Sequence, residues 1–321
     1  MGSKQPLVRP PRLAPGSRIA LVAPAGPLLE RDDLARAEEL CRALGYRPVL
    51  GRNAYLKYGY LAGTDAERLE DLNWALTSRD VDAVWCIRGG FGITRILDRV
   101  DYGGFRRSPR PVIGYSDITA LLLALHHHTG IAAFHGPIAR TAMPPFSRWH
   151  FDRVLTQVGA PGQLGRIAPP ADVLVPQKDR LVTLAPGVAE GRLLGGNLTL
   201  IQALIGTPHL PSFEGAILFL EDVGEDLYSI DRMLAHLRMA GALEKIAGAA
   251  IGRFTEMDRG GGDGALGFDE VLSTYLLPLG VPVAYGFPIG HIDDQWTLPI
   301  GVRAKLDATE RDLWLVEAAV E

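Results

Sequence analysis

The sequence predicts an α/β protein: a doubly wound N-terminal domain with a parallel sheet, followed by a smaller α+β C-terminal domain. Two observations carry that expectation. Short apolar stretches alternate with helical patterns through the first half of the chain, and repeated strand-loop-helix units imply a parallel sheet covered on both faces. The 321 residues, 47% hydrophobic and 22% charged, are many for one core and comfortable for two. Residues 1–160 form the expected N-terminal unit, 161–184 a crossover linker and 185–321 the C-terminal unit.

Arg18–Val22 reads as a buried strand ended by Pro24-Ala25-Gly26-Pro27. Residues 32–44 have helical spacing, with Leu34, Leu40 and Leu44 among charges and Gly45 as a stop signal. Arg47–Leu50 is a second short strand. Thr64-Asp65-Ala66-Glu67 has the form of a capping box, and Leu69, Leu72, Trp74 and Leu76 continue that helix. Residues 83–87 form a third strand running into Arg88-Gly89-Gly90-Phe91-Gly92, after which a helix is expected. Pro111-Val112-Ile113 is the next strand and 118–128 the next helix. The loops at 24–27, 88–92 and 115–117 all follow strand carboxyl ends, where ligands of such sheets collect. In the second unit, strands are expected at 216–220, 249–253, 282–285 and 313–316, with a helix near 230–240. The glycine-rich stretch 259–264 lacks the aspartate spacing of a calcium loop and reads as a solvated turn.

Composition excludes several classes. A net charge of −4 with acids and bases interspersed suggests no nucleic-acid partner, and neither a basic amphipathic stretch nor a bilayer-spanning apolar run suggests a membrane. Cys41 and Cys86 lie in apolar contexts and read as buried thiols without a disulfide. The first residues lack the apolar run of a signal peptide, so a cytoplasmic location is expected.

The chemistry points to Gly114-Tyr115-Ser116-Asp117, where an apolar strand gives way to a helix. A serine on such a turn has its hydroxyl lifted off the sheet beside the positive end of the helix, next to unpaired N–H donors. An activated serine needs a base and a group that orients the base. Of the eight histidines, His126, His127 and His128 end a helix and read as dipole-compensating surface rather than a metal site. His135, at the end of a strand-like segment, could line the crevice. His291 stands out because Gly286-Phe287-Pro288-Ile289-Gly290 precedes it, and such a loop can bring an imidazole close to another backbone. For the acid, Glu221-Asp222 ends the apolar run 216–220, while Glu225 and Asp226 read as a solvated loop or first helical turn.

These residues lie within a longer set of segments. They are Gly59-Tyr60-Leu61-Ala62-Gly63-Thr64-Asp65 with Arg68 and Asp71, Arg88-Gly89-Gly90-Phe91-Gly92, Gly114-Tyr115-Ser116-Asp117 and His135-Gly136-Pro137. Gly195-Gly196-Asn197-Leu198, Leu220-Glu221-Asp222, Asp231-Arg232-Met233-Leu234 and Gly290-His291 with Leu298-Pro299-Ile300-Gly301 continue the set. In that order, from about residue 18 to 303, the chain resembles the LD-carboxypeptidases, a serine peptidase family that also contains microcin C immunity peptidases. The resemblance implies Ser116 as nucleophile, His291 as general base, Glu221 as the orienting carboxylate, and an oxyanion hole from the backbone N–H groups of Gly90 and Asp117. Gly89, His135, Asn197 and Arg232 are candidate substrate contacts, Arg232 as a carboxylate partner.

The implied reaction is hydrolysis without a metal or cofactor, releasing terminal D-alanine from a cytoplasmic murein tetrapeptide in cell-wall recycling. The expected partners are a small peptide substrate and a second copy of the chain. The alternative is an immunity peptidase that cleaves the amide of a peptidyl or aminoacyl nucleotide, for which Trp149 or Trp296 could supply a platform. An α/β-hydrolase esterase fits less well, because Gly-Tyr-Ser-Asp-Ile lacks the second glycine of that elbow. A non-enzymatic two-domain binding protein would have no use for Ser116.

Overall fold

The computed structural model describes residues 6–30, 32–168, 180–257 and 266–321. The first sheet is built from the expected alternation: β1 (Arg18–Val22), α1 (Asp33–Ala43), β2 (Arg47–Leu50), α2 (Asp65–Thr77), β3 (Ala83–Cys86), α3 (Tyr102–Arg107), β4 (Val112–Gly114), α4 (Ile118–Thr129) and β5 (Ala133–His135). Local chemistry sets the helix ends. Thr64 and Glu67 form the capping box of α2, and Gly45, at φ 84°, takes the left-handed turn after α1. Where one helix was expected after residue 92, two 3₁₀ turns (Ile93–Arg95 and Leu97–Arg99) precede α3, which is only six residues long. Gly103 and Gly104 occupy its first turn and weaken a longer helix.

Strands run in the order β2-β1-β3-β4-β5, all parallel. This is a doubly wound order whose direction of winding reverses between β1 and β3, so the loops after those two strands flank the crevice. There Gly26 N–H donates to the Gly89 carbonyl at 2.9 Å. β3 is buried along its whole length, as a central parallel strand requires. α4 is apolar nearly all round and buried on nearly every residue, which fits a helix enclosed between layers rather than one on a surface.

The chain continues through α5 (Pro145–Thr156), β6 (Gly162–Gln163), β7 (Val182–Ala185), β8 (Val188–Asn197), α6 (Leu198–Leu204), β9 (Ala216–Val223), α7 (Leu227–Met239), β10 (Gly248–Thr255), α8 (Phe268–Leu276), β11 (Val283–Tyr285), β12 (Leu298–Ile300), β13 (Arg303–Asp307) and β14 (Asp312–Leu315). The expected turn at 259–264 lies outside the described residues. The second sheet has the order β6-β14-β13-β8-β9-β10-β11-β7, with β8 to β11 parallel and antiparallel strands on both sides. β12 crosses back to the first sheet and pairs antiparallel with β5, Leu298 opposite His135. Buried apolar residues of both sheets and of α4 join in one core. Cys41 and Cys86 are buried free thiols, as expected. Among the described residues no helix is long and apolar enough to cross a membrane.

Candidate active site

Ser116 sits between β4 and α4 with φ 64°, a left-handed conformation that costs a non-glycine residue free energy and must be held by its surroundings. Those surroundings are visible. Gly114 leaves no room for a side chain, since a Cβ there would lie 2.9 Å from Ile118 Cγ2. A Cβ on Gly89 would lie 2.8 Å from Ser116 Cβ and 3.0 Å from its Oγ, so only glycine lets the end of β3 press against the serine turn. Ser116 remains half-exposed. Gly90, at φ 109°, and Asp117 flank it, and neither backbone N–H donates to another backbone or side-chain group among the described residues. The Asp117 donor is thus open at the N-terminus of α4, next to the serine, and the Gly90 donor is open in the loop after β3, one residue beyond the Gly89 that presses on Ser116.

The second sheet brings the acid and the imidazole. Glu221 lies on β9, fully buried, opposite Asn197 of β8. Its Oε2 is 2.8 Å from His291 Nδ1. An ionised carboxylate only accepts, so Nδ1 carries the proton and Nε2 is left as the basic nitrogen. Burial pushes the Glu221 carboxyl above the usual carboxylate range, and the bond to His291 pulls against that. Gly290 makes the approach feasible: its φ is 117°, and a Cβ there would lie 2.8 Å from Glu221 Oε2. The Tyr115 ring packs edge-on to His291 with centroids 4.8 Å apart, which brings the residue before Ser116 against the imidazole. The three residues thus come from the mouth of β4, the end of β9 and the loop after β11.

The Asp117 side chain is buried and accepts from Ile93 N–H at 2.9 Å. Burial pushes its carboxyl up to about 6, opposed by that N–H and by the Arg68 charge. The folded state therefore binds this proton more tightly than the unfolded chain. The stabilisation it gives is full below about pH 4 and is lost as pH rises through about 6. Asp117→Asn should gain about 2–3 kcal/mol on wild type between pH 4 and pH 7, read from denaturant titrations at both values. Identical pH dependence of the two proteins would contradict this.

The buried guanidinium of Arg68 ties the site loops together. It donates to the carbonyls of Pro24 and Gly92, the latter at 2.9 Å, and to Asp65 at 2.6 Å. The segment 59–65 with Arg68 thus holds the loops after β1 and β3 in register.

The other candidates fall differently. His135 is fully buried, against Phe219 and behind Tyr115, rather than on the crevice wall. Asn197 is 3% exposed and already engaged: Nδ2 donates to Asp222, Oδ1 caps α6 at Leu200, and its N–H donates to Thr119. Gly196 serves close packing, since a Cβ there would lie 2.4 Å from Thr119 Cγ2. Arg232 is exposed on α7, bonded to Ser229 and stacked over Tyr228. Of the histidine run, His127 is exposed while His126 and His128 are partly buried; burial pushes His126 down to about 4 and lowers His127 and His128 as well. His128 bonds His209, which bonds Asp98.

Residues 19–136 match the N-terminal domain of the LD-carboxypeptidase family and residues 190–306 its C-terminal domain. The chain belongs to the LD-carboxypeptidase family. It is 34% identical over 317 residues to a probable murein peptide carboxypeptidase of Bacillus subtilis, covering 97% of this chain and 95% of that one. It is 36% identical over 299 residues to the murein tetrapeptide carboxypeptidase of Pseudomonas aeruginosa, covering 90% and 93%. Among solved structures, the wild-type microcin C7 self-immunity protein MccF superposes with a TM-score of 0.88 at 25% identity, over 98% of this chain and all of that one. The muramoyltetrapeptide carboxypeptidase of Oxalobacter formigenes gives 0.80 at 30% identity, over 95% of this chain and all of that one. This LD-carboxypeptidase family member is a serine peptidase with two sheets, the first wound in parallel as its sequence predicted.

Proposed function

We propose that this protein is a serine carboxypeptidase that hydrolyses an L-to-D amide bond and releases terminal D-alanine from murein tetrapeptide. The observation that carries the reading is the Glu221–His291 bond formed beside the strained Ser116 turn. His291 Nε2 takes the Ser116 proton as Oγ attacks the carbonyl carbon. The Gly90 and Asp117 N–H groups hold the resulting oxyanion, each contributing about 10²–10³ in rate. The C–N bond breaks as His291 returns the proton to the leaving amine, and water then releases the tripeptide from Ser116 by the same route.

The relatives named as murein peptide carboxypeptidases support this substrate. The reading places the site between an N-terminal unit carrying Ser116 and a C-terminal unit carrying Glu221 and His291. It places the enzyme in the cytoplasm, with which two buried free thiols agree, and takes it as a homodimer.

The likeness to MccF favours a second reading, an immunity peptidase acting on an aminoacyl nucleotide, with the same chemistry and a different pocket. A panel of murein tri-, tetra- and pentapeptides beside an aminoacyl sulfamoyl-adenylate separates the two. The tetrapeptide should turn over at least 100-fold faster than the others. Preferential turnover of the adenylate would replace the first reading with the second.

A further inference from the structure

Two arginines stand beside the serine turn with one carboxylate between them. Arg88 lies in the loop after β3, immediately before Gly89-Gly90, and is half-buried. Its guanidinium donates to the Pro27 carbonyl, and a Cβ on Gly26 would lie 3.4 Å from its Nη1. Arg140, in the loop after β5, is also half-buried, and its Nε is buried without a hydrogen-bond partner. The carboxylate is Asp33, fully buried at the start of α1. Its Oδ2 accepts the N–H groups of Leu29 at 2.8 Å and Glu30 at 3.1 Å. Its Oδ1 makes no hydrogen bond and lies 3.6 Å from Arg140 Nη1. Arg36 is 3.9 Å from the same oxygen but is committed to Glu30 and Asp32 at 2.8 and 2.7 Å.

The cluster therefore holds one more guanidinium than carboxylate. Arg88 is lowered by burial and by the charge of Arg140, so the two cations are close enough to repel. The Arg140 charge also reaches Tyr115, whose ring lies against His291. An uncompensated cation in a partly dehydrated place is costly unless an anion completes it. This one lies where the loops after β1, β3 and β5 meet, beside the serine.

We propose that Arg88 and Arg140 form the subsite for the terminal carboxylate of the leaving D-amino acid, an assignment that rests on the carboxypeptidase reading. That carboxylate carbon is separated from the scissile nitrogen by one Cα, about 2.5 Å. The anion must then sit next to the oxyanion loop, which is the loop that carries Arg88. Guanidinium suits the task because it can grip a carboxylate through two parallel N–H bonds. Arg232, exposed on α7, is not needed for it.

The test compares kcat/KM for murein tetrapeptide ending in D-alanine with the same peptide ending in D-alaninamide. Wild type should prefer the free acid by about 100-fold, the value of one charge-assisted pair. In Arg140→Gln that preference should fall at least tenfold, and Arg140→Lys should restore part of it. Arg88→Gln, which keeps a donor for the Pro27 carbonyl, provides the same test should the first variant fail to fold. Equal cleavage of acid and amide by wild type, or a variant that loses both substrates with the preference unchanged, would overturn the subsite alone. Wild type that leaves both peptides intact would overturn the carboxypeptidase reading, and the subsite with it.

Discussion

Ser116→Ala should lower kcat/KM on murein tetrapeptide by about 10⁶-fold while leaving the protein folded. The two expectations have separate causes. Removing the hydroxyl removes the covalent route, and the residual rate comes only from binding and the Gly90 and Asp117 donors. Stability should change by no more than about 1 kcal/mol, because the hydroxyl is half-exposed and donates no hydrogen bond among the described residues. The strain at φ 64° is the same for alanine as for serine, so the substitution neither relieves nor adds to it. The measurement is steady-state turnover beside a thermal melt. An alanine variant within tenfold of wild type would remove Ser116 from the chemistry.

The second large effect concerns Glu221 and His291 as one unit. Glu221→Gln keeps the shape but can present an amide N–H to Nδ1, which favours the tautomer with its proton on Nε2 and disables the base. A loss of about 10³–10⁴ in kcat is expected. His291→Ala should cost about 10⁵–10⁶, and adding Glu221→Gln to it should cost less than a further tenfold, since Glu221 acts only through the imidazole. Folding should survive, because the amide keeps the shape of the carboxyl and carries no charge for burial to penalise. Multiplicative losses in the double-mutant cycle would mean that the two act independently. The acid would then have to be sought elsewhere, with Glu225, which reaches Thr199 Oγ1 at 3.4 Å, the next candidate.

Local signals made the first sheet readable. Strand and helix alternate within a few tens of residues, and Gly45 and the Thr64–Glu67 pair mark helix ends through interactions within one turn of chain. Ser116 was legible for the same reason: glycine, a short apolar strand and a helix are neighbours in sequence. His291 was legible through Gly290, and Glu221 through its place at the end of an apolar run, but their bond spans 70 residues and only a resemblance could pair them.

What was not legible depends on distant partners. β12 is three residues long and becomes a strand by pairing with β5, some 160 residues earlier. α5 carries no expectation from the sequence, although its opening proline is well placed in a first helical turn. Gly195 and Gly196 belong to β8, where the parallel neighbour β9 and Thr119 leave no room for side chains. His126 resembles surface until the close approach of Gly301 to its ring is known. The arginines at 88 and 140 carry no sequence signal as a pair, since their proximity follows from the strand order alone.

The most direct test of the serine mechanism is labelling with a fluorophosphonate followed by peptide mapping. A single phosphonyl adduct is expected on Ser116. Murein tetrapeptide should protect against it, and labelling should slow at least 100-fold in His291→Ala, because the reagent reads the activated hydroxyl before any turnover. Hydrolysis of the tetrapeptide by a protein whose Ser116 stays unlabelled, or whose label falls on another residue, would contradict the account.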